Sequence, residues 1–389
     1  MKDIEEKACL CALNRIFGFK PKIASALISH CGSASGVFML GDRQIDDLLG
    51  PYSRFRNMVR ASVVHEASDE LKRCAAAGIS FIGVTTDGYP QILKECPDPP
   101  VGLYIRSITP PEELWPEQPG IAIVGTRDIS SYGAEWCGRI VKGLAGTSEK
   151  PLIISGLALG TDICAHRAAL EHGLPTIAVM ATGADRIYPS RHTGFAERLT
   201  RTQGCALITD YPPGTAPLPL HFLRRNRIIA GLSRATILIE SKTKGGGMMT
   251  ARLAFSYERD VYALPGRVDD VRSQGCNLLI GNKIAEAITS QDSVINSLGL
   301  KKTGIDSGQR KSRSVTDFYE GQMERCRIDE LAEILLYIRN HRGATVEEIA
   351  DSCGMDYSKA SSAVSTLEMD EFITVDLLQR CSIMHTFAG

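Results

Sequence analysis

Short apolar runs alternate with amphipathic stretches through the middle of the chain. The runs are rich in β-branched and aliphatic residues and are predicted as buried strands at 81–85, 121–125, 152–156, 176–180, 206–210, 235–240 and 261–266. Helical periodicity separates most of them, around 133–145, 161–172, 193–203, 221–231 and 248–257. Apolar runs without polar alternation are typical of strands covered on both faces. The alternation of strands and helices predicts an α/β fold with a mainly parallel, doubly wound sheet.

The two ends of the chain have different patterns. Residues 4–50 predict short helices around a turn with Gly18, Lys20 and Pro21, as in a helix-hairpin-helix or SAM-like module. Such a turn can offer amides to a phosphate, but a packing or protein-contact role is favoured because Lys20 replaces the usual second glycine. Near the C-terminus, helical patterns precede β-like runs, which predicts a winged helix. We therefore expect an all-α domain at 1–65, an α/β domain at 66–298, a polar linker at 299–326 and a winged helix at 327–389.

Composition narrows the function classes. The net charge is −1, so any binding of a polyanion must come from local clusters of cations. The 12 cysteines are scattered without a Cys-x-x-Cys pair, which favours reduced thiols and no structural zinc. No segment has the pattern of a signal peptide or of a membrane-spanning run. We expect a soluble cytoplasmic protein without a metal or a cofactor.

Glycines and cations follow several predicted strands. Gly125, Thr126 and Arg127 end one strand, and Ser130 precedes the next helix. Open amides and a guanidinium can bind phosphate there, although a tight turn with a surface arginine is equally expected. Gly156 and Gly160 allow a second strand-to-helix turn, whose His166 is more often structural than functional.

Further cations and glycines occur downstream. Tyr188 can stack on a base beside Arg191 and His192, or it can fill the core of a proline-containing loop. In the helix around 221–231, Arg224 and Arg227 share a face while Arg225 points elsewhere. No carboxylate lies within one turn to neutralise them. The run is therefore predicted to bind an external anion rather than to form a solvated face, through Arg224, Arg225, Asn226 and Arg227. The last candidates are a glycine run without a capping side chain and an arginine after a strand: Gly245, Gly246, Gly247, Thr250 and Arg267.

The carboxyl ends of parallel strands line one crevice of an open α/β sheet. We therefore expect these residues to converge there on phosphates. The pattern is neither the Gly-x-Gly-x-x-Gly of dinucleotide-binding proteins nor a P-loop.

The ordered motifs resemble the DprA/Smf family of bacterial DNA-processing proteins. They are G-T-R-x-x-S-x-Y-G (125–133), S-G-x-A-x-G-x-D-x-x-A-H (155–166), Y-P (188–189), R-N-R-I-I-A-G-L-S (225–233) and T-A-x-x-A (250–254). The resemblance implies an extended Rossmann-like domain that binds single-stranded DNA without strong sequence choice. It also implies loading of the RecA recombinase in natural transformation and recombination, and a homodimer. By motif, Arg127, the 188–192 loop and the 225–227 run resemble the strand-contacting residues of the family.

Two other function classes stay open. One is a Rossmann-like hydrolase of nucleoside monophosphates, for which Glu240 and Asp162 are the candidate carboxylates. The other is a sequence-specific regulator led by the winged helix, which Lys359 alone supports as a cation on the predicted recognition helix. We favour a binding protein over an enzyme.

Overall fold

A computed structural model of the chain describes residues 2–115, 120–302 and, with short interruptions, 318–383. The chain divides into two compact units, residues 1–302 and 303–389. Most of the predicted linker and the end of the last predicted strand (384–387) lie outside the described residues. Within the described part of the chain, no helix has the length and apolarity needed to cross a bilayer.

A large, mostly parallel sheet organises the first unit. Its strands are β1 (Ile79–Gly83), β2 (Gly102–Arg106), β3 (Gly120–Val124), β4 (Ile153–Ser155), β5 (Thr176–Val179), β6 (Ala206–Thr209), β7 (Ser233–Leu238), β8 (Asp260–Ala263) and β9 (Glu286–Ala287). The order across the sheet is β1-β2-β6-β5-β4-β3-β7-β8-β9, and only the pairings of β2 with β1 and with β6 are antiparallel. The predicted α/β class and mainly parallel sheet are confirmed. Strand β2 and the two-residue β9 were not recognised from the sequence.

Helices cover both faces of this sheet. They are α1 (Lys2–Phe17), α2 (Pro21–Cys31), α3 (Ala34–Phe38), α4 (Asp42–Leu49), α5 (Ala61–Ala76), α6 (Gln91–Lys94), α7 (Ser131–Ala145), α8 (Thr161–Glu171), α9 (Thr193–Thr200), α10 (Pro219–Gly231), α11 (Gly246–Ser256), α12 (Gln274–Gly281) and α13 (Gln291–Ser297). Strand β3 shows why its run is apolar throughout. Ile121 and Ile123 join the core under α7, α8 and α13, whereas Ala122 and Val124 join the core under α10 and α11.

The N-terminal helices share a core with the sheet. Leu10 and Leu13 of α1 belong to the same buried cluster as Phe81 of β1 and Tyr104 of β2. The boundary expected at residue 65 falls inside α5, which continues to Ala76. The helical region is therefore packed into the first compact unit rather than separated from it.

The second unit has its own small core. It contains α14 (Arg325–Asn340), α15 (Val346–Ser352) and α16 (Tyr357–Met369), with a three-stranded antiparallel sheet of β10 (Ala344–Thr345), β12 (Arg380–Ile383) and β11 (Ile373–Val375) in that order. Helix α15 begins with a capping box: the Glu348 amide donates to Thr345 Oγ1 at 3.3 Å, and the Thr345 amide donates to Glu348 Oε2 at 2.9 Å.

Candidate nucleic-acid interface

A cavity of about 470 Å³ lies at the carboxyl ends of β3 and β7, which we call the crevice. These neighbouring parallel strands mark the point where the connections diverge: the chain runs from β3 outward through β4, β5 and β6, and then returns to continue through β7, β8 and β9. Ligands of open α/β sheets bind at such switch points. Many of the predicted residues line the crevice: Gly125, Thr126, Arg127, Tyr188, Arg225, Asn226, Gly245, Gly246, Gly247 and Thr250.

The two strand ends approach each other closely because their loops carry glycines. A Cβ atom on Gly247 would lie 3.0 Å from the Cα of Gly125 and 2.8 Å from Leu238 Cδ1. Only glycine at residue 247 therefore lets the start of α11 pack against the end of β3. This contact brings the main-chain amides of one loop beside Arg127 of the other.

The N-terminus of α11 has no capping side chain. Its N-cap residue is Gly245, and no side-chain oxygen accepts a hydrogen bond from the first turn. Such amides carry a partial positive charge and favour an anion. Lys242 also lines the crevice and is exposed. Among the described residues, no carboxylate pairs with Lys242 or with the exposed Arg127, whose guanidinium stacks 5.2 Å from the Phe222 ring.

Arg225 is a buried cation that lines the crevice. Its Nη1 donates to the carbonyl of Gly156 at 2.7 Å and to the carbonyl of Val179, while Nε donates to Asn226 Oδ1 at 3.2 Å. Burial lowers the pKa of Arg225, and the nearby carboxylate of Asp162 opposes this shift. An arginine keeps its charge in proteins, so this side chain presents a fixed positive charge to the crevice.

Arg224 and Arg227 are not available to an external anion, which corrects the prediction from the sequence. Both donate to Asp210 Oδ2 at 2.7 Å. Arg224 also donates to the carbonyl of Gly18, and Arg227 to that of Asp98. Burial of Asp210 would raise its pKa, but the two guanidinium groups hold that pKa below its usual value. The carboxylate follows β6 and lies 14 residues before Arg224 and 17 before Arg227, far beyond one helical turn.

Other predicted contacts lie outside the crevice lining. His192 is buried and its Nδ1 donates to the carbonyl of Leu157 at 2.9 Å, so it cannot meet a phosphate as predicted. Arg267 is exposed and pairs with Asp269 at 2.9 Å. Arg191 is exposed but does not line the cavity. Gly156 and Gly160 also lie outside the lining and act on it through Arg225 and through α8, whose N-cap is Gly160.

Ser130 and the two candidate catalytic carboxylates have distinct surroundings. The backbone amide and hydroxyl of Ser130 donate to Glu240 at 2.9 and 2.5 Å, so both groups hold the start of α7. Asp162 lines the crevice and accepts a hydrogen bond from the Ala158 amide at 3.3 Å. Burial raises the pKa of Asp162, and the nearby guanidinium of Arg225 opposes the rise.

The sequence profile of the DNA recombination-mediator protein A family matches residues 80–299. This chain belongs to that family. The matched region includes the crevice, from Val124 to Thr250. It leaves the N-terminal helices α1 to α5 and the whole second unit outside the match.

Relatives and solved structures agree with this assignment. Protein Smf of Synechocystis is 37% identical over 251 residues, which cover 64% of this chain and 62% of that protein, so the match spans less than two thirds of the relative. The X-ray structure of DNA processing protein A from Streptococcus pneumoniae superposes with a TM-score of 0.54 at 31% identity, covering 67% of this chain and 92% of that one. The Helicobacter pylori structure has a TM-score of 0.50 at 29% identity, covers 57% of this chain and 95% of its own, and concerns that protein's single-stranded DNA binding mode.

Several lining residues escaped the sequence analysis. Lys242 lies three residues before the glycine run, and a cation so close to uncapped amides was a usable signal. Phe222 was hidden because its place on the crevice side of α10 depends on how that helix packs. Its ring lies 5.4 Å from that of Tyr188, which is half-exposed at the rim.

Proposed function

We propose that the crevice binds single-stranded DNA without strong sequence choice, and that the protein is a recombination mediator that loads RecA onto the bound strand. The observation that carries this proposal is the convergence of Arg127, Arg225 and Lys242 with the uncapped start of α11 around one cavity. Main-chain amides and guanidinium groups recognise phosphate and not base identity. Membership of the recombination-mediator family supports the same function.

Aromatic side chains favour a single strand over a duplex. Tyr188 and Phe222 form one wall of the crevice, and the Tyr188 ring is half-exposed. Unpaired bases can stack on such rings, whereas paired bases are already stacked within the duplex. We therefore assign the rim cations to phosphates and Tyr188 to a base.

Fluorescence anisotropy of a labelled oligothymidylate tests the binding site. The variant Arg127→Ala/Lys242→Ala should lose at least about tenfold in affinity, and its salt slope should fall by about 1.4, since each lost phosphate contact removes about 0.7. The matched control is Lys94→Ala/Lys142→Ala, because both lysines are exposed and neither lines the crevice. A folded crevice variant that keeps the affinity and slope of this control would contradict the site.

The loading step needs its own measurement. We expect the protein to shorten the lag before RecA filaments form on an oligothymidylate, and the crevice variant to lose this effect. We also propose a homodimer, which sedimentation at several concentrations tests. An unchanged lag with wild-type protein that binds the strand would leave strand binding intact and exclude loading.

Asp162 is the observation that keeps an enzyme as the second candidate. Its carboxyl group lines the crevice and burial raises its pKa, as in hydrolases that cleave a glycosidic bond. Glu240 is less suited because Ser130 occupies both of its oxygens. Incubation of the protein with AMP decides between the two: release of adenine that disappears in Asp162→Asn would establish hydrolysis.

We assign a protein-contact role to the second unit and interpret it as a winged helix. Its helix α16 carries Lys359 as a cation, with Asp356, Glu368 and Asp370 at or near its ends. This composition is unsuited to the phosphates of a duplex. A footprint on a specific duplex would instead support a sequence-specific regulator.

A further inference from the structure

The segment that joins α1 to α2 and includes the first two residues of α2, residues 18–22, is fixed against the helix that forms the crevice wall. We call it the Phe19 turn. The carbonyl of Gly18 accepts a hydrogen bond from Arg224, which also pairs with Asp210 at 2.7 Å. Asn14 Nδ2 donates to the carbonyl of Asp210 at 2.9 Å. These buried contacts tie the N-terminal helices to α10 at a defined position.

The ring of Phe19 is held in place while half of it stays in solvent. Its exposed fraction is 52%. The guanidinium of Arg224 lies 4.3 Å from the ring centroid, and the rings of Tyr211 and His221 lie 6.3 and 5.9 Å away. A phenylalanine fixed on one side and open on the other is a ready stacking surface for a flat ligand.

Two cations closely follow Phe19 in the chain. Lys20 and Lys22 are exposed, and no carboxylate among the described residues pairs with either of them. Neither lysine caps α2 through its side chain, so neither has an evident role in the fold. One open aromatic ring with two free ammonium groups matches the chemistry of a base with its phosphates.

The Phe19 turn is continuous with the crevice across α10. Leu223 lines the crevice, and the next residue, Arg224, contacts the turn. Leu220 and Leu223 of α10 are 59% and 43% exposed, so this helix carries an exposed apolar surface. The crevice and the Phe19 turn are separated by about the width of one helix, roughly 10 Å.

We propose that a single strand leaving the crevice crosses α10, stacks one base on Phe19 and places the following phosphates on Lys20 and Lys22. This proposal rests on the proposed function, since the crevice supplies the first part of the path. The occupant is the continuation of the bound strand, because Lys20 and Lys22 complement the charge of its phosphates and α10 joins the turn to the crevice. A duplex is excluded from this path because its bases are stacked within the helix.

Oligothymidylates of two lengths separate the turn from the crevice. A strand of about 6 nucleotides occupies the crevice alone, and one of about 16 also reaches the turn. Both lengths lie within the range of about 4–16 nucleotides that small single-strand binders cover. The variant Lys20→Ala/Lys22→Ala should bind the short strand like wild type. For the long strand its salt slope should fall by about 1.4 and its affinity by about tenfold. Phe19→Ala should lose about tenfold for the long strand only, as for one stacked base.

Controls make the outcomes distinct. The pair Lys94→Ala/Lys142→Ala removes the same charge from exposed positions that do not line the crevice, and it should bind both strands like wild type. Equal binding of the long strand by the turn variants and this control would overturn the Phe19 path. A crevice variant, Arg127→Ala/Lys242→Ala, that keeps its affinity for the short strand would instead overturn the proposed function.

Discussion

The guanidinium of Arg225 occupies the space in which a side chain at Gly156 would have to lie. A Cβ on Gly156 would fall 2.4 Å from Arg225 Nη1, which itself donates to the Gly156 carbonyl at 2.7 Å. The glycine after β4 and the arginine of α10 are 69 residues apart and form one structural unit. The glycine thus serves the crevice by seating its buried cation.

Gly156→Ala should displace Arg225 from this seat. We expect a loss of about tenfold in oligothymidylate affinity and a stability loss of about 1–3 kcal/mol, as for other overpacked interiors. Anisotropy and urea unfolding measure the two effects. Gly138→Ala is the matched control, because a methyl group there meets no atom within 4 Å and removes a flexible residue from α7, which should stabilise the protein slightly. If Gly156→Ala binds the oligothymidylate as tightly as wild type, the observed position of Arg225 is not required for binding.

Asp210 should stabilise the fold through Arg224 and Arg227. Its folded pKa lies below the unfolded value of about 3.9. The stabilisation is therefore present above about pH 4 and is lost as the pH falls through the lower folded pKa. Asp210→Asn should cost about 3 kcal/mol at pH 7, since it leaves the buried Arg227 and the partly buried Arg224 without a charge partner.

Urea unfolding of Asp210→Asn and wild type at pH 7 and at about pH 3.5 tests this expectation. The difference between the two proteins should narrow at the lower pH. Asp69→Asn removes a surface carboxylate paired with Lys72 and should leave the midpoint unchanged. A difference that widens as the pH falls would mean that Asp210 is not the charged partner of the two arginines.

His166 should make the fold sensitive to acid. It is fully buried, and burial, with the nearby Arg225 and His192, lowers its pKa to about 3. The Thr176 hydroxyl donates to the carbonyl of Ile153 at 2.8 Å, so His166 Nδ1 donates to that hydroxyl oxygen at 2.7 Å. The folded protein thus keeps a neutral imidazole.

Below about pH 6.5, His166 is protonated in the unfolded chain but stays neutral in the folded protein. The free energy of unfolding therefore falls as the pH falls from about 6.5 toward 3. This residue should contribute a slope of up to about 1.4 kcal/mol per pH unit. His166→Asn should flatten the pH dependence of unfolding by that amount between about pH 4 and 6. The same slope in the variant would assign the acid sensitivity to other groups.

The element pattern was predictable where each stretch of chain carried enough local information. The sequence runs that form the central strands β3 to β8 are mainly apolar, because both faces of the sheet are covered. The helix caps follow the same logic: Thr345 and Glu348 form their capping box within four residues. Strand β2 was missed because its partners β1 and β6, rather than its own pattern, hold it in the sheet.

The site was predictable in part, for a reason that the arginines of α10 make plain. Glycines and cations after parallel strands must meet at one edge of the sheet, so Arg127 and the run 245–247 could be placed together from the chain alone. Which of the three arginines within residues 224–227 faces the ligand depends on distant partners. Asp210 forms ion pairs with Arg224 and Arg227, and the Gly156 carbonyl accepts a hydrogen bond from Arg225. These contacts form only when β4, β6 and α10 pack together. The local sequence pattern does not encode such long-range contacts, so only the tertiary structure decides whether each arginine is paired within the protein or faces the ligand.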